Sequence, residues 1–370
     1  MSITRSAGAR SGRVRPARLT DLAAVGELSR LSHNGDGTGS DGTGSDGRVR
    51  SLGLPVVSSN ISVFSLFRMP LGAFRPHDLL YVHEERGRVT GVARVESEDR
   101  RNEWTIVELD AIDESGAGDV RFRLVQHLLK DGGKRGAYRF HVACADQGGN
   151  VELFMQAGFA RYGEERILYR PPDQPLPEPL PEADGTPLGI RPTVPLDALR
   201  LDRLYRAATP QPVIRLEAYR LHDWERQGNH WRIPRSSLTP VLRFADVEAF
   251  VQARGPAQDP EMLAFIQLGV AKEDQPHYLR VIGRPDHDPS ALIEFGMGII
   301  AERTRARRGE LALRQPRTER GIVSAVRTYE SPLDRRLEEQ GFAVVANVSL
   351  LLKETAVRVA EPALVPAASQ

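Results

Sequence analysis

Hydrophobic residues in the first 170 positions of this chain follow two alternating periods, one typical of strands and one typical of helices. After the capping pair Thr20-Asp21, apolar residues recur at helical spacing from Leu22 to Leu31, which predicts an amphipathic helix. Shorter apolar runs predict strands, two of them joined as a hairpin through residues 85–88. In order, the pattern predicts a strand at 13–15, the Leu22 helix, strands at 79–82, 89–95 and 104–112, a helix containing Val120, Leu124 and Leu128, a strand at 138–144, a short helix ending at Gly158 and a strand at 159–169.

Two groups of residues occur twice at constant shifts. With a shift of 176 residues, Arg15, Pro16, Asp21 and Leu28 recur as Arg191, Pro192, Asp197 and Leu204. With a shift of 183 residues, Gln156-Ala157-Gly158-Phe159 corresponds to Glu339-Gln340-Gly341-Phe342, and the two share the Gly-Phe pair. The repeated unit is far longer than the 20 to 50 residues typical of solenoid and propeller repeats, so each copy is predicted to be a whole domain.

The second copy predicts the same elements in a more diverged form. Segments 249–251 and 263–266 predict the strands of a hairpin, 278–282 a central strand and 292–301 the helix that follows it. The predicted fold class is therefore α+β, with two tandem domains that each contain a mixed, mostly antiparallel central sheet flanked by helices.

Composition indicates where these domains begin and end. Residues 1–12 are predicted to be disordered, 13–170 to form domain 1, 171–187 to be a proline-rich linker, 188–354 to form domain 2 and 355–370 to be a tail. Within domain 1, a repeated Asp-Gly-Thr-Gly-Ser motif predicts a flexible insertion at 34–47. We favour an insertion over a calcium loop because no helix, sheet or bidentate Glu is evident that would close the ligand shell.

Charge and cysteine content exclude several classes of function. Hydrophobic residues make up 40% of the chain and charged residues 27%, both typical of globular proteins. A net charge of +1 favours neither nucleic acid nor membrane as a partner, and no apolar run approaches the length of a membrane span. The N-terminus has basic residues without an apolar segment, so we expect a cytoplasmic protein. The single cysteine, Cys144, excludes a disulfide framework and a multi-thiolate metal site, and we expect it to be a buried hydrophobic residue.

The predicted element order, the Arg15-Pro16 and Asp21 opening, the hairpin from Glu85 to Ala93 and the Gly158-Phe159 pair before the last strand resemble the GNAT superfamily of N-acetyltransferases. The resemblance covers residues 13–170, and residues 188–354 resemble a diverged second copy. It implies that acyl-coenzyme A lies between two parting strands and that its acyl group is transferred to an amine. The two copies are expected to pair as a pseudo-dimer within the chain.

The resemblance also assigns a cofactor site in domain 1. The family places the pyrophosphate on a Gly-containing turn before a helix, and the corresponding turn here is Asp113-Glu114-Ser115-Gly116-Ala117-Gly118. Gly116 and Gly118, with the amides near Ala117 and Asp119, are expected to bind pyrophosphate, and the strand from Leu109 to Ala111 is expected to pair with pantetheine. Asp113 stands where the family usually has Arg or Gln. The corresponding turn of domain 2, residues 284–290, lacks a Gly-x-Gly sequence, so we expect acetyl-coenzyme A only in domain 1.

Acid and base candidates follow from the same resemblance. Many family members use a Tyr in the helix before the closing Gly-Phe as the acid, but Phe154 and Leu337 occupy this place here. Tyr162 is therefore the candidate for a displaced acid. Glu108 is the candidate base and Asp110 the alternative, because both lie on one face of a strand that lines the predicted gap.

Two functions remain open from the sequence. The first is transfer of an acetyl group from acetyl-coenzyme A to an amine by direct attack, with a small molecule or a peptide N-terminus as acceptor. The second is a catalytically degenerate tandem protein that binds a ligand or partner as a scaffold. The hydroxyl-free positions Phe154 and Leu337, with the acidic Asp113, favour the scaffold, whereas the Gly116-Ala117-Gly118 turn favours the enzyme.

Overall fold

The computed structural model of the protein describes residues 12–35, 49–54, 78–98, 102–112, 117–172, 174–175, 189–225, 234–256, 259–272, 275–311 and 320–355. Residues 1–11, all but the first two residues of the predicted insertion at 34–47, most of the predicted linker and residues 356–370 lie outside this described part. Within the described ranges, no helix is long and apolar enough to cross a membrane.

In the part of the first half that the structure describes, the elements are β1 to β7 and three α-helices. Its elements are β1 (Arg13–Pro16), α1 (Leu22–Gly35), β2 (Val49–Arg50), β3 (Asp78–Glu85), β4 (Arg88–Glu98), β5 (Glu103–Ile112), α2 (Ala117–Lys134), β6 (Arg139–Ala145), α3 (Asn150–Gln156) and β7 (Ala160–Arg170). The sequence predicted all of these except β2, which has only two residues and therefore no period to detect.

The second half repeats this order with additional short helices. Its elements are β8 (Ile190–Pro192), α4 (Ala198–Ala208), α5 (Gln211–Glu217), α6 (Leu221–Glu225), β9 (Phe244–Arg254), β10 (Glu261–Ala271), β11 (His277–Gly283), α7 (Ser290–Leu311), β12 (Ile322–Arg327), α8 (Ser331–Glu339) and β13 (Ala343–Glu354). The predicted hairpin, central strand and following helix correspond to β9, β10, β11 and α7.

The residues that repeat in sequence also repeat in geometry. Arg15 donates to both carboxylate oxygens of Asp21 at 2.6 and 3.0 Å, and Arg191 donates to those of Asp197 at 2.7 and 2.8 Å. Each aspartate also caps a short 3-10 helix by accepting a backbone N–H three residues earlier, at 2.7 and 3.0 Å. The repeated motif is therefore a structural one, in which one arginine fixes the capping carboxylate at the start of each half.

The two halves share one sheet and exchange their last strands. The strand order is β1-β3-β4-β5-β6-β13-β7-β12-β11-β10-β9-β8, and β2 pairs with β5 off this path. Strand β13 of the second half lies between β6 and β7 of the first half, while β7 lies between β13 and β12. Each half thus obtains its closing strand from the other.

Helices cover both faces of this sheet. Helices α2 and α3 pack on one face of the first half, over a core that includes Leu109, Leu124 and Phe154, whereas Val25 and Leu28 of α1 pack on the other. Trp104 and Trp224 are both buried and belong to the hydrophobic cores of the first and second halves. Cys144 is fully buried and burial raises the pKa of its thiol to about 12, in agreement with its predicted role as a small hydrophobic residue.

Candidate functional site

Strands β5 and β6 pair as parallel neighbours and then separate. Their register runs from Glu103 opposite Arg139 to Ile106 opposite Val142 and ends there, although both strands continue. At the same point β5 contains a β-bulge, because Arg94 and Val95 of β4 pair with Glu108 and Ile106 and leave Val107 without a counterpart. The structure therefore has the parting strands that the sequence predicted, with a bulged residue at the point of separation.

The second half shows a similar separation without the bulge. Strands β11 and β12 pair only from His277 to Leu279 of β11. The ladder between β10 and β11 keeps one register from Tyr278 to Gly283, so β11 is regular in this ladder where β5 is bulged. The two separations are therefore not equivalent.

Residues 49–54 lie in the mouth of the gap between β5 and β6. Arg50 of β2 pairs with Ala111 of β5, and the N–H of Ala145 in β6 donates to the carbonyl of Leu52 at 2.8 Å. Leu52 is 3% exposed and packs into the core beneath α2 and α3. The segment therefore contacts both walls of the gap, and it pairs with Ala111, one of the residues predicted to pair with pantetheine.

Gly53 allows the segment to approach β6 closely. Its φ of +64° lies in the left-handed region, and a Cβ added at this position would lie 2.9 Å from the Cβ of Ala145. Any larger residue would combine backbone strain with a steric clash. The segment in the gap thus depends on a glycine at this position.

A buried arginine lies beside this segment, one turn into α2. Arg121 is 2% exposed and donates to the side-chain oxygen of Asn150 at 2.6 Å and to the carbonyl of Ser51 at 3.4 Å. Its Nε has no hydrogen-bond partner within the described residues, and burial lowers the pKa of the guanidinium to about 10. A cation in this environment would be stabilised by an additional anionic or carbonyl acceptor.

The predicted phosphate turn lies at the start of the same helix. Helix α2 begins at Ala117, so Ala117, Gly118 and Asp119 form its first turn, where backbone N–H groups have no partner inside the helix. Gly116 lies outside the described residues. Helix α2 is the next described element after β5, and residues 113–116 between them lie outside the described part.

The opposite face of the separation opens into a cleft between the two halves. Because Ile106 and Val142 face α2, the alternation along both strands turns Thr105 and His141 toward this other face. The cleft is partly open to solvent, and its other wall is formed by residues 235–237, Pro240 and Val241 of the second half. Val107 and Tyr162 also line it. The bulge, a histidine and a tyrosine thus share one cleft.

Glu103 connects the cleft to the second half through charged contacts. Arg235 donates to the Glu103 carboxylate at 2.5 Å and to the hydroxyl of Thr105 at 3.1 Å. Nε2 of His141 lies 3.4 Å from the same carboxylate, and the guanidinium of Arg139 lies 3.6 Å from it. Glu103 is only 2% exposed, so these groups form a buried charge cluster that the sequence did not predict.

Tyr162, the predicted displaced acid, lines the cleft and lies beside Arg327 of β12. The guanidinium carbon of Arg327 is 5.8 Å from the centre of the tyrosine ring. Burial raises the pKa of Tyr162 to about 12 despite the opposing effect of Arg327. The phenol is therefore protonated at neutral pH and can donate a proton.

The predicted bases do not line the cleft. Glu108 accepts hydrogen bonds from Arg94 at 3.1 Å and from the hydroxyl of Ser29 in α1. Asp110 is 2% exposed and pairs with Val92 of β4. Neither is among the residues that form the cleft wall.

The two positions where the family often has tyrosine are part of the hydrophobic cores. Phe154 and Leu337 are both fully buried, which explains why apolar side chains are found there. In the second half, Arg336 of α8 lies 3.2 Å from Asp288, and Gln340 donates to Glu294 of α7 at 2.8 Å. These contacts link α8 and the residue after it to the turn before α7 and to α7 itself.

Comparisons with known proteins identify the fold. No protein-family model and no curated protein sequence matches the chain. A GCN5-related N-acetyltransferase from Sphaerobacter thermophilus is similar in structure over 93% of this chain and 95% of that protein, with 16% identity and a TM-score of 0.53. A tandem GNAT protein from the clavulanic acid biosynthesis pathway is similar over 93% of this chain and 98% of that protein, with 14% identity and a TM-score of 0.49. The predicted resemblance and fold class are confirmed: the chain has the GNAT fold of N-acetyltransferases, and its repeated motifs show that this fold occurs in tandem.

Proposed function

We propose that the first half is an N-acyltransferase that moves an acetyl group from acetyl-coenzyme A to an amine by direct attack. The observation that carries this proposal is that three features occur together at one point of the sheet. There β5 parts from β6, Val107 forms a bulge and the cleft with His141 and Tyr162 begins. The regular ladder of β11 supports the assignment to the first half and not to the second.

The residues around the gap fit acetyl-coenzyme A, which would supply the acyl group as a thioester. The amides of residues 116–119 at the start of α2 would hold the pyrophosphate, with the positive end of the helix dipole. Arg121 supports this assignment, because its buried guanidinium has an Nε that finds no acceptor in the described part of the chain. Leu109 and Ala111 would pair with the pantetheine arm.

Segment 49–54 has to leave part of this position for pantetheine to bind. Arg50 and an incoming pantetheine would use the same edge of β5 at Ala111, so the two exclude each other there. Binding of acetyl-coenzyme A would therefore be coupled to release of the segment, and its measured affinity would include the free energy of that release.

The cleft would hold the amine and the groups that move protons. Tyr162 would protonate the leaving sulfur, as its high pKa keeps the phenol protonated. Glu108 is the base proposed from the sequence and Asp110 the alternative. Val107 would contribute a backbone N–H toward the thioester carbonyl, because a bulged residue is left out of the ladder.

Thermal unfolding in the presence of acetyl-coenzyme A and of coenzyme A tests the cofactor assignment. A ligand at 100 times its Kd stabilises the folded protein by about 2.7 kcal/mol, so a rise in Tm is expected at millimolar ligand. Gly118→Glu should abolish the rise by placing a carboxylate at the phosphate turn. Gly133→Glu is the matched control, because Gly133 lies near the other end of α2 and an added Cβ meets nothing within 4 Å.

Release of the coenzyme A thiol in the presence of a panel of amines tests the reaction. The panel should include small primary amines and peptides with a free N-terminus. Acetyl-coenzyme A binding without transfer to any amine, or no binding at all, would contradict the proposal. The tandem fold would then serve as a binding scaffold.

A further inference from the structure

We infer that His141 takes the proton from the attacking amine and that Arg235 of the second half holds His141 in position through Glu103. The inference rests on the proposed acyl transfer and adds its base, for which the sequence pointed to Glu108. It also gives the second half a role in the first half's site.

His141 lies at the place where a base is needed. It is opposite Thr105 in the parallel ladder, one residue before β5 and β6 separate, and its side chain lines the cleft together with bulged Val107. It is 4% exposed, so its imidazole lies in a largely water-excluded position. Glu108 is held by Arg94 and Ser29 and does not line the cleft.

Glu103 is suited to orient His141 and unsuited to be the base itself. Its carboxylate binds Arg235 and lies near Arg139, and two guanidinium groups favour its anionic form. The negative charge of this carboxylate lies 3.4 Å from Nε2 of His141, an electrostatic contact that favours the tautomer with hydrogen on Nε2. Nδ1 is then the basic nitrogen, in the arrangement in which a carboxylate fixes a catalytic imidazole.

Arg235 is held in place by the second half. Its backbone N–H donates to the hydroxyl of Tyr219 at 2.7 Å, and its carbonyl accepts from Arg327 at 2.8 Å. From this anchored position its side chain reaches Glu103 and Thr105 on β5. Arg235 and Glu103 are therefore positioning residues, and the first half's site is complete only when the second half is docked against it.

His141 and Tyr162 together account for the proton transfers of the reaction. An ammonium acceptor gives one proton to Nδ1 of His141, and the freed lone pair attacks the thioester carbon. The carbon–nitrogen bond forms, the carbon–sulfur bond breaks and Tyr162 protonates the leaving sulfur. The new amide loses its second proton to solvent, and proton exchange with solvent returns His141 and Tyr162 to their starting forms.

Histidine titration by NMR tests the positioning network without any need for turnover. The groups that face His141 are Glu103 of β5, Arg139 of β6, Tyr162 of β7 and Arg235 of the second half. In the full-length protein, with the His141 signal assigned by its loss in His141→Gln, Glu103→Gln should move the titration midpoint of His141 to lower pH. Arg235→Met removes a cation and should move it to higher pH, whereas Arg235→Lys, which keeps the charge, should restore it toward the wild-type value.

Kinetics then test the catalytic role with an acceptor found in the amine panel. His141→Gln should lower kcat by 10²-fold to 10⁴-fold, the usual contribution of a general base, and leave acetyl-coenzyme A affinity unchanged. The acidic limb of the pH profile of kcat/KM should disappear in this variant. Near-ultraviolet circular dichroism of each variant checks that it is folded, and Arg235→Gln, which also removes the charge, replaces Arg235→Met if the latter is not.

The outcomes separate this inference from the proposed function. Titration of His141 that is unaffected by both Glu103→Gln and Arg235→Met would overturn the positioning network, whether or not the protein is active. A larger loss of kcat in Glu108→Gln than in His141→Gln would overturn the assignment of the base and leave the acyltransferase function intact. Failure of the proposed function would instead appear as wild-type protein that binds no acetyl-coenzyme A.

Discussion

Arg327 is a buried cation whose carboxylate partners come from both halves. Its side chain is 2% exposed and lies 3.0 Å from Glu165 of β7 and 2.8 Å from Glu217 of α5. It also donates to the carbonyl of Arg235. A guanidinium suits this place because its planar fork of donors can satisfy several acceptors at once, which an ammonium on a lysine cannot do with the same geometry.

Replacing Arg327 with methionine should destabilise the protein strongly. The variant would leave Glu165 and Glu217 buried without their cation, and breaking a buried ion pair from one side costs roughly 3 to 5 kcal/mol. The free energy of unfolding from urea denaturation measures the loss. Arg335→Met is the control, since Arg335 is 82% exposed and its pair with Glu339 is screened by solvent and should contribute little. Equal losses in both variants would show that the Arg327 cluster contributes no more than a surface pair.

The repeated arginine and aspartate motif predicts a pH dependence. The Arg15 guanidinium hydrogen-bonded to Asp21 holds the pKa of that carboxyl below its usual range, against the opposing effect of burial. A carboxyl whose pKa is lowered by folding stabilises the protein above its unfolded pKa of about 3.9, and this stability is lost as pH falls. Asp21→Asn keeps an oxygen for the cap but loses the charge that pairs with Arg15, so it should lower the free energy of unfolding by up to about 1 kcal/mol at pH 7. The difference from wild type should shrink as pH approaches 3, and a constant difference would contradict this account.

At the scale of elements, segment 49–54 is predicted to compete with coenzyme A. Gly53→Val should weaken its contact with β6 by a steric clash with Ala145 and by the strain of a positive φ, which costs about 1 to 2 kcal/mol. Calorimetric titration should then give a Kd for coenzyme A lower by up to about tenfold. Gly87→Val is the matched control, because Gly87 also has a positive φ but an added Cβ there meets nothing within 4 Å. Unchanged or weaker binding in Gly53→Val would show that the segment does not compete.

The exchanged strands predict that neither half folds alone. The pairing partners of β7 are β12 and β13, both in the second half, and those of β13 are β6 and β7, both in the first. Separately expressed fragments ending and starting within 176–188 should therefore self-associate or aggregate through unpaired edges. Co-expressed fragments should form one complex with the mass of the whole chain by light scattering. A monomeric first-half fragment with a cooperative unfolding transition would contradict this prediction.

Local sequence patterns predicted the helices and strands, but they did not predict that β7 and β13 are exchanged between the two halves. In the strand at 104–112 and in the helix through Leu124, the spacing of hydrophobic residues is visible within a single segment. The structure of each segment therefore follows from its own residues. The pairing of β13 with β6 joins residues about 200 positions apart, and nothing in either strand specifies which copy of the repeat supplies the partner. The cleft was missed for the same reason, because Arg235 and Glu103 meet only when the halves dock.

For the whole molecule, the two copies are predicted to differ in function. The first half has the bulge at Val107 and a helix with Gly118 in its first turn, whereas the second has a regular β11 and a turn fixed by the contact of Arg336 with Asp288. Each chain should therefore bind one acetyl-coenzyme A. Calorimetric titration should give a stoichiometry of one, and Gly118→Glu should remove all binding. A second equivalent, or half of the binding retained in Gly118→Glu, would place a site in the second half.

The position of β13 also affects how the protein is made. A ribosome releases β6 and β7 long before it has synthesised residues 343–354, the strand that fills the space between them. Throughout that interval the nascent chain presents open strand edges, which are sites of association with other unfinished chains. Its yield in a cell should accordingly depend on chaperones that shield nascent chains more than the yield of a protein whose N-terminal domain closes its own sheet.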